Sequence, residues 1–238
     1  MSSFLEGFEL NLYTIKFNRI GPQDDVSNSF VGLPLGALFI YVELKVEILL
    51  NDRLGSIVKL ERGFLSSDVS QSILEELESV EWLNHSIFIY GKWVKEPRSV
   101  FFMGNSGIKY TYSKQEMSAK PWTDQLLKIK NKLNTKLNTN FNSVLINNYK
   151  NGEQYMGWHC DNEKELGARP TICSLSIGST RDFILRNKAD HSIKTKVDLQ
   201  TGDLLLMQGE TQTYWDHALP KRLRVKERRI NFTFREIL

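Results

Sequence analysis

The strand-rich second half of the chain limits the choice of fold more than any other feature. From residue 141 onward, short segments with strand character follow one another, and turn signals such as Asn151-Gly152 and Thr201-Gly202-Asp203 separate them. The predicted strands cover residues 141–149, 155–161, 171–177, 182–186, 194–199, 204–208 and 228–234. Many short strands without intervening helices predict an antiparallel double-sheet jelly roll.

Two amphipathic helices are predicted before these strands. Ser66 or Ser67 caps the first helix, and Pro121 opens the second. Their apolar stripes comprise Val69, Ile73, Leu77 and Val80 in the first helix and Trp122, Leu126, Ile129, Leu133 and Leu137 in the second. We expect both helices to pack on the outer face of one sheet, which gives an α+β domain.

The N-terminal part of the chain has a different pattern. Residues 1–36 carry turn and breaker signals, and we expect a loosely ordered arm there. Residues 41–48 alternate apolar and polar side chains, which predicts a half-buried strand. The longest apolar stretch, residues 37–50, is interrupted by three charged residues, so no membrane-spanning segment is expected. We therefore treat residues 1–55 as a partly ordered N-terminal extension of unknown role.

The composition of the 238 residues is that of a soluble globular protein, with 41% hydrophobic and 25% charged residues. Cys160 and Cys173 provide no disulfide framework, so we expect an intracellular, reducing compartment: the cytoplasm, or the nucleus in a eukaryote. The net charge is only +3, but cationic residues concentrate in residues 221–229. This basic run is either a solvated loop or a phosphate-binding segment.

A candidate metal site lies around His159 and Asp161. In a strand these two side chains point to the same face, because side chains alternate along the strand. Of the other three histidines, His217 lies in an aromatic stretch, residues 212–217, that could wall off a dry site. Two imidazoles and one carboxylate form the facial set that holds non-haem Fe(II) and leaves coordination positions open. The alternative is that these are structural residues, since His-x-Asp often arises by chance.

Residues 229–235 form a strand pattern with one polar and one apolar face. The polar face carries Arg229, Asn231, Thr233 and Arg235, and the apolar face carries Ile230, Phe232 and Phe234. Two inward arginines are unfavourable unless they meet anions, and a dicarboxylate would satisfy both guanidinium groups. The alternative is a solvated edge strand with ordinary surface arginines.

Taken together, these motifs resemble the AlkB family of Fe(II)- and 2-oxoglutarate-dependent dioxygenases. The resemblance rests on Asn147-x-Tyr149, His159-x-Asp161, His217 and Arg229-x-Asn231-x-Thr233-x-Arg235. Further segments resemble the DNA-repair branch that has duplex-acting members: Tyr90-Gly91-Lys92-Trp93, Pro97-Arg98, Tyr110-Thr111-Tyr112-Ser113 and Lys120-Pro121-Trp122. We therefore expect an AlkB-like dioxygenase domain over residues 56–238, with a nucleotide-recognition segment at about residues 84–118.

The resemblance implies a double-stranded β-helix, which is the jelly roll expected above. It implies oxidative demethylation of N-alkylated DNA bases (1-methyladenine, 3-methylcytosine), coupled to decarboxylation of 2-oxoglutarate to succinate, with release of formaldehyde. Fe(II), 2-oxoglutarate and O2 are the implied cofactor and co-substrates. The implied iron ligands and catalytic residues are His159, Asp161 and His217, and the implied 2-oxoglutarate ligands are Asn147, Tyr149, Arg229, Asn231, Thr233 and Arg235. Arg229 is expected to take the distal carboxylate and Arg235 the end near the metal.

The resemblance also implies a set of substrate contacts. These are Tyr90, Gly91, Lys92, Tyr110, Tyr112, Ser113, Asn162 and Glu163. Tyr112 and His159 are expected to sandwich a flipped base, and the apolar segment before Gly91 is expected to act as a wedge in a duplex. A tyrosine pair in a hairpin core and a plain strand end are the alternatives. The family usually carries Asp where this chain has Asn162, so we expect a changed base preference.

Three functions stay open at this point. The first is demethylation of alkylated DNA, single- or double-stranded, by a monomer. The second is the same chemistry on RNA or on protein side chains. The third is a non-catalytic jelly roll that binds nucleic acid. The presence of all three metal ligands and both arginines counts against the third.

Overall fold

The computed structural model of the chain describes residues 13–18, 39–44, 46–84, 86–89, 91–112 and 115–238. Its helices are α1 (Ser67–Glu76), α2 (Asp124–Leu137) and α3 (Thr211–Tyr214). Its strands are β1 (Tyr13–Asn18), β2 (Phe39–Leu44), β3 (Val46–Asn51), β4 (Ser56–Glu61), β5 (Ser86–Ile89), β6 (Lys92–Lys95), β7 (Ser99–Gly104), β8 (Lys109–Tyr112), β9 (Gln115–Ser118), β10 (Ser143–Tyr149), β11 (Met156–His159), β12 (Ile172–Gly178), β13 (Arg181–Asn187), β14 (Lys194–Leu199), β15 (Leu204–Gly209), β16 (Trp215–Leu219) and β17 (Arg229–Arg235). None of the helices in these ranges has the length and apolar character needed to cross a membrane.

The chain divides into two compact units, residues 1–47 and 48–238. In the smaller unit, β1 pairs antiparallel with β2, from Tyr13 opposite Leu44 to Asn18 opposite Phe39. Tyr13–Asn18 thus forms a strand within residues 1–36, where the sequence predicts a loosely ordered arm. The single strand expected over residues 41–48 is divided between β2 and β3. The boundary at residue 55 stays a prediction.

Two sheets build the larger unit and confirm the jelly roll. One has seven strands in the order β3-β4-β15-β12-β17-β10-β7, and the other has four in the order β11-β16-β13-β14. β17 lies near the middle of the large sheet, antiparallel to both β10 and β12. Two hairpins, β5–β6 and β8–β9, lie outside these sheets.

The large sheet has an apolar face on each side. On one side, α1 and α2 cover Ile230, Phe232 and Phe234 with the buried leucines and isoleucines of their stripes. On the other side, residues such as Leu145 pack against Phe183 and other side chains of the small sheet. The helices therefore lie on the face of β17 opposite to its polar side chains, which leaves those side chains between the two sheets.

Local capping sets where the two helices begin. The Ser66 side chain accepts a hydrogen bond from the Val69 amide, as predicted, so α1 begins at Ser67. α2 begins later than predicted, because Thr123 is extended and accepts from the Leu126 amide. Pro121 thus precedes the helix, and Trp122, although outside it, still stacks on Phe234 with ring centroids 6.4 Å apart.

Two segments near the predicted metal site also differ from the sequence prediction. β11 ends at His159, so Asp161 follows the strand and does not lie within it. The aromatic stretch around His217 forms the short helix α3 and then β16, neither of which was predicted. β16 pairs with β11, with His217 directly opposite His159.

Candidate active site

A cavity between the two sheets collects most of the predicted site residues. The large sheet contributes Leu145, Asn147, Tyr149, Ser174, Met207, Arg229, Asn231, Thr233 and Arg235 to its lining, and the small sheet contributes Met156, His159, Phe183, His217 and Leu219. Arg98 and Asp161 complete the lining from adjoining loops. The polar face predicted for residues 229–235 therefore faces this cavity, which excludes the alternative of a solvated edge strand.

His159, Asp161 and His217 meet at one end of the cavity. One possible ligand atom from each of the three lies within 4.8 Å of the others. The two imidazole rings are 4.2 Å apart between centroids. His217 Nε2 lies 3.9 Å from Asp161 Oδ2, which is too far for a hydrogen bond. The strand pairing of β11 and β16 thus brings together the ligand set that the sequence predicted.

The hydrogen bonding of His159 and the burial of His217 suit metal binding. His159 Nδ1 lies 2.8 Å from the Gly157 carbonyl oxygen, and a carbonyl only accepts, so Nδ1 is the donor of this contact and Nε2 is the nitrogen left for a metal. Burial, with the nearby His159, lowers the pKa of His217 to about 3, so His217 is neutral. His217 Nδ1 is buried and has no hydrogen-bond partner among the described residues.

Asp161 is held as a carboxylate by its surroundings. Burial would raise its pKa, but the charge of Arg235 keeps the pKa below its usual value. Arg235 Nη2 donates to Asp161 Oδ1 at 2.6 Å. The Gln212 side-chain oxygen accepts from the Asp161 amide at 2.9 Å, which fixes the backbone just beyond the end of β11.

A hydrogen-bonded chain connects Asp161 to Glu163 through two other side chains. Arg235 Nη1 donates to the Tyr110 hydroxyl at 2.8 Å, and that hydroxyl donates to Glu163 Oε1 at 2.6 Å. Tyr110 is 1% exposed, and burial raises its pKa, so its hydroxyl keeps its proton. Glu163 Oε2 is buried without a hydrogen-bond partner in the described part of the chain.

Arg229 lies at the far end of the strand from Arg235 and has different partners. Its side chain is 2% exposed, and Nη2 donates to Ser176 Oγ at 2.9 Å. Burial lowers its pKa to about 10, so the guanidinium is still charged near neutral pH. No Asp or Glu of the described residues forms an ion pair with it, and its Nε is a buried donor without a partner. A buried cation of this kind is stabilised by an anionic ligand.

Polar side chains between these arginines are tied to the sheet. Asn231 Nδ2 donates to Ser174 Oγ at 2.7 Å, and Thr233 Oγ1 donates to Asn231 Oδ1 at 3.1 Å. On β10, Asn147 accepts from Arg98, while the Tyr149 ring lies 5.7 Å from the Arg229 guanidinium carbon. The six residues expected to bind 2-oxoglutarate thus line one wall of the cavity.

The predicted substrate residues are not all at the cavity. Gly91 and Lys92 are exposed at the turn of the β5–β6 hairpin, and Asn162 is exposed beside Asp161. Tyr110 is too deeply buried to be an open pocket wall, and its hydroxyl alone joins the site. Tyr112 ends β8, but its side chain lies outside the described part. Tyr90 and Ser113 lie outside the described residues.

Sequence reasoning missed several residues of the site. Arg98 was noted only as part of a motif, yet it is 3% exposed and lines the cavity. The sequence marks Gln212 only as the first residue of the stretch around His217 and does not mark Lys188, although Lys188 Nζ donates to the Gln212 carbonyl at 2.7 Å and to Cys160 Sγ at 3.1 Å. No periodicity marks these residues, because distant segments bring them to the site.

Comparisons with known proteins show which proteins the chain is similar to. A profile of the 2OG-Fe(II) oxygenase superfamily matches residues 58–235. The chain is 35% identical over 180 residues to the DNA oxidative demethylase ALKBH2 of Bos taurus, an alignment that covers 73% of this chain and 65% of that protein. It is 35% identical over 201 residues to the alpha-ketoglutarate-dependent dioxygenase alkB homolog 3 of Homo sapiens, covering 80% and 70%. The chain therefore spans just under two thirds of the bovine protein.

A solved structure, described as the structure of OsALKBH1, shares the fold. It superposes with a TM-score of 0.57 at 18% sequence identity, covering 75% of this chain and 96% of that chain. The fold is thus shared with a protein of low sequence identity.

Proposed function

The chain belongs to the AlkB family of Fe(II)- and 2-oxoglutarate-dependent dioxygenases, and we propose that it demethylates N-alkylated bases in DNA. Relatives that are about one third identical are named DNA oxidative demethylases, which supports DNA as the substrate class. The observation that carries the proposal is one cavity that joins a His-Asp-His set to the buried Arg229, which has no acidic partner among the described residues. The proposed lesions are 1-methyladenine and 3-methylcytosine.

The residues present fit the cofactor and co-substrate of the family. Two imidazoles and one carboxylate are a donor set for Fe(II) with open coordination positions. The cationic Arg229, 2% exposed, fits the distal carboxylate of 2-oxoglutarate. We assign Arg235, Asn147, Tyr149, Asn231 and Thr233 to the remainder of that ligand. Iron and 2-oxoglutarate, when bound with O2, supply oxidation of the methyl carbon, and succinate, carbon dioxide and formaldehyde are the products.

The protein's own contribution to this chemistry is to bind, orient and keep the site dry. The hydrogen bond from His159 Nδ1 to Gly157 fixes the ring and its tautomer, and Phe183 stacks on His217 with centroids 5.3 Å apart. Arg235 keeps Asp161 ionised and orients one of its oxygens. No side chain needs to act as a general acid toward the base, so positioning is the main task of these residues.

We propose that Glu163 recognises the base edge. Its Oε1 is already used by the Tyr110 hydroxyl, whereas its buried Oε2 has no partner among the described residues. A carboxylate oxygen in that state suits an exocyclic amino group, which both proposed bases carry. Tyr112, Ser113 and Asn162 stay proposed contacts. Because Glu163 connects through Tyr110 and Arg235 to Asp161, base binding and the metal ligand share one hydrogen-bonded chain.

Two surface segments are proposed to hold the rest of the nucleic acid. The β5–β6 hairpin has Gly91 at its turn with φ of 77°, and Trp93 is 69% exposed on it. This hairpin, with Tyr90, is the proposed duplex wedge. Arg224 and Lys226 are exposed in the loop between β16 and β17 and are proposed to contact phosphates.

A comparison of matched oligonucleotides tests the proposed function. The protein, ferrous iron and 2-oxoglutarate are incubated with 1-methyladenine or 3-methylcytosine in single-stranded DNA, duplex DNA and RNA. We expect restored adenine or cytosine and formaldehyde with DNA, and neither product with Asp161→Ala. Restoration confined to RNA would favour the RNA alternative, and 2-oxoglutarate consumption with none of these substrates would contradict a nucleic-acid demethylase.

A further inference from the structure

A buried ion pair lies against the proposed 2-oxoglutarate site and has no role in the mechanism above. Arg98 and Glu96 precede β7, and their side chains are 2% and 3% exposed. Arg98 Nη1 lies 3.5 Å from Glu96 Oε2, and Arg98 Nε donates to Asn147 Oδ1 at 2.7 Å. Arg98 also lines the cavity. The pair is therefore attached to Asn147, one of the proposed ligands of 2-oxoglutarate.

The contact with Arg98 determines which way the Asn147 amide faces. A guanidinium has only hydrogen-bond donors, so the atom of Asn147 that faces Arg98 must be the oxygen. The amide NH2 is then directed away from Arg98. Among the described residues, Nδ2 of Asn147 donates to no partner, although the side chain lines the cavity. The Asn147 NH2 thus faces the cavity as a hydrogen-bond donor, from which a carboxylate can accept. A carbonyl oxygen in the same place would repel that carboxylate.

Arg98 differs from Arg229 in having a buried carboxylate as its counter-ion. Glu96 neutralises Arg98 and Asp161 neutralises Arg235, whereas Arg229 has no acidic partner among the described residues. An arginine whose charge is compensated by a buried carboxylate gains little from a second anion. Direct charge pairing with the distal 2-oxoglutarate carboxylate is therefore left to Arg229, and Arg98 is left an indirect role.

We propose that Arg98 is a positioning residue for 2-oxoglutarate: it holds the Asn147 amide so that the NH2 group faces the co-substrate. Glu96 is the counter-ion that stabilises the charge of Arg98 in the protein interior. The inference rests on the proposed assignment of Asn147 as a 2-oxoglutarate ligand. It adds a specificity element, because an amide NH2 held as a donor can donate to a carboxylate and disfavours a ligand that presents a donor at the same place.

The test is anaerobic calorimetric titration of 2-oxoglutarate into the Fe(II)-loaded protein, which measures binding without turnover. Because removing Arg98 alone would leave Glu96 buried and unpaired, the reference is Glu96→Gln, which keeps the contact from Arg98 to Asn147. We expect Glu96→Gln to bind within about threefold of the wild type, and Glu96→Gln/Arg98→Met to bind about tenfold more weakly than Glu96→Gln.

A double-mutant cycle with Asn147→Ala decides whether Arg98 acts through Asn147. If it does, then once Asn147 is replaced, adding Arg98→Met to Glu96→Gln/Asn147→Ala causes no further loss of affinity. If the two losses multiply instead, Arg98 contacts the ligand directly and the inference is wrong. If Asn147→Ala itself has no effect, the assignment of Asn147 to 2-oxoglutarate fails, and with it the positioning role.

A second variant tests the orientation without changing the buried pair. Asn147→Asp has nearly the same shape but presents only acceptor oxygens to the cavity. We expect it to bind 2-oxoglutarate more weakly than Asn147→Ala, because two carboxylates then face each other. Equal or tighter binding by Asn147→Asp would show that the cavity needs no donor at this place and would overturn the inference. Thermal unfolding of each variant confirms that it is folded before titration.

Discussion

At the scale of single residues, the site is determined by how each buried charge is matched. Asp161 has Arg235 at 2.6 Å, and Arg98 has Glu96 at 3.5 Å. Arg229, 2% exposed, lacks an acid among the described residues. An unmatched cation inside a protein destabilises the folded state until an anion binds. Of these arginines, Arg229 should therefore contribute most to the affinity for 2-oxoglutarate.

The first prediction concerns that arginine. Arg229→Ala should raise the concentration of 2-oxoglutarate needed for half-maximal turnover roughly ten- to hundredfold, since a hydrogen bond to a charged group contributes about 1.5–3 kcal/mol. The concentration of oligonucleotide needed should change little. Arg224→Ala, an exposed cation of the nearby loop, is the control and should leave the 2-oxoglutarate requirement unchanged. An Arg229→Ala effect seen only in oligonucleotide binding would place this arginine on the phosphates.

The second prediction concerns the neutrality of His217. Its pKa in the folded protein is about 3, mainly because of burial, against 6.5 when unperturbed. Between these values the unfolded chain binds a proton that the folded chain does not, so stability is retained above pH 6.5 and lost as pH falls toward 3. For each pH unit of acidification below pH 6.5, His217 should therefore lower the unfolding free energy of the metal-free protein by up to about 1.4 kcal/mol.

Urea unfolding of the metal-free protein measures this contribution. Wild type and His217→Gln are compared between about pH 7 and pH 5, the range in which an unperturbed histidine titrates. The loss of unfolding free energy on acidification should be smaller for the variant, since glutamine does not titrate. Parallel curves for the two proteins would contradict the burial of a neutral His217.

At the scale of elements, β17 separates two functions by alternation alone. Ile230, Phe232 and Phe234 pack under α1 and α2, while Arg229 and Arg235 face the cavity. Because side chains alternate strictly, the helices can stabilise β17 without contacting the site. Changes in the helix layer should thus affect stability and leave the affinity of the folded protein for 2-oxoglutarate unchanged.

A matched pair of leucines on α2 tests this separation. Leu133 is fully buried, whereas Leu127 is 38% exposed on the same helix. Leu133→Ala should lower the unfolding free energy by about 2–5 kcal/mol, and Leu127→Ala by less than about 1 kcal/mol. Calorimetric titration below the melting temperature should give the same 2-oxoglutarate affinity for both variants. A selective loss of affinity in Leu133→Ala would mean that the helix layer and the site are coupled.

The turn between β10 and β11 holds the loop between β16 and β17 in shape. The Gly152 amide donates to the Val225 carbonyl at 2.8 Å, and the Gly152 carbonyl accepts from the Arg222 amide at 2.7 Å. A Cβ at Gly152 would lie 1.7 Å from the Arg222 carbonyl oxygen, so only glycine fits. Arg222 is also paired with Asp182. The loop is thus a fixed platform from which Arg224 and Lys226 project.

The salt dependence of DNA binding tests this platform. Each phosphate contact contributes about −0.9 to the slope of log K against log salt for duplex DNA and about −0.7 for single strands. Arg224→Gln/Lys226→Gln should therefore weaken binding of both forms of DNA and flatten the slope by up to about 2. Lys128→Gln/Lys132→Gln, on α2 across the sheet from the cavity, should leave the slope unchanged. An unaltered slope in the loop variant would make the basic run an ordinary solvated loop.

At the scale of the whole molecule, local patterns could be predicted and long-range contacts could not. The two faces of β17 are visible in adjacent residues, so alternation was enough to place them. Alternation did not place Asp161, which lies beyond the end of β11. Tyr110 and Arg235 are far apart in sequence, and only the packing of the β8–β9 hairpin beside β17 brings them together. The contact of Arg98 with Asn147 depends in the same way on the pairing of β7 with β10.

The errors in element boundaries have local physical causes. Pro121 is a favourable first residue of a helix, but the Thr123 hydroxyl can cap and Pro121 cannot, so α2 begins three residues later than predicted, at Asp124. β16 was missed because the stretch around His217 is aromatic without alternation. Its strand conformation comes from pairing with β11 and β13.

The most direct measurement follows the methyl carbon itself. A duplex oligonucleotide carrying 1-methyladenine with a ¹³C-labelled methyl group is incubated with the Fe(II)-loaded protein, 2-oxoglutarate and oxygen. The account predicts labelled formaldehyde, succinate and restored adenine in equal amounts, and none of the three with His217→Ala. Restored adenine without labelled formaldehyde, or succinate formation that is independent of the methylated base, would contradict oxidative demethylation at this cavity.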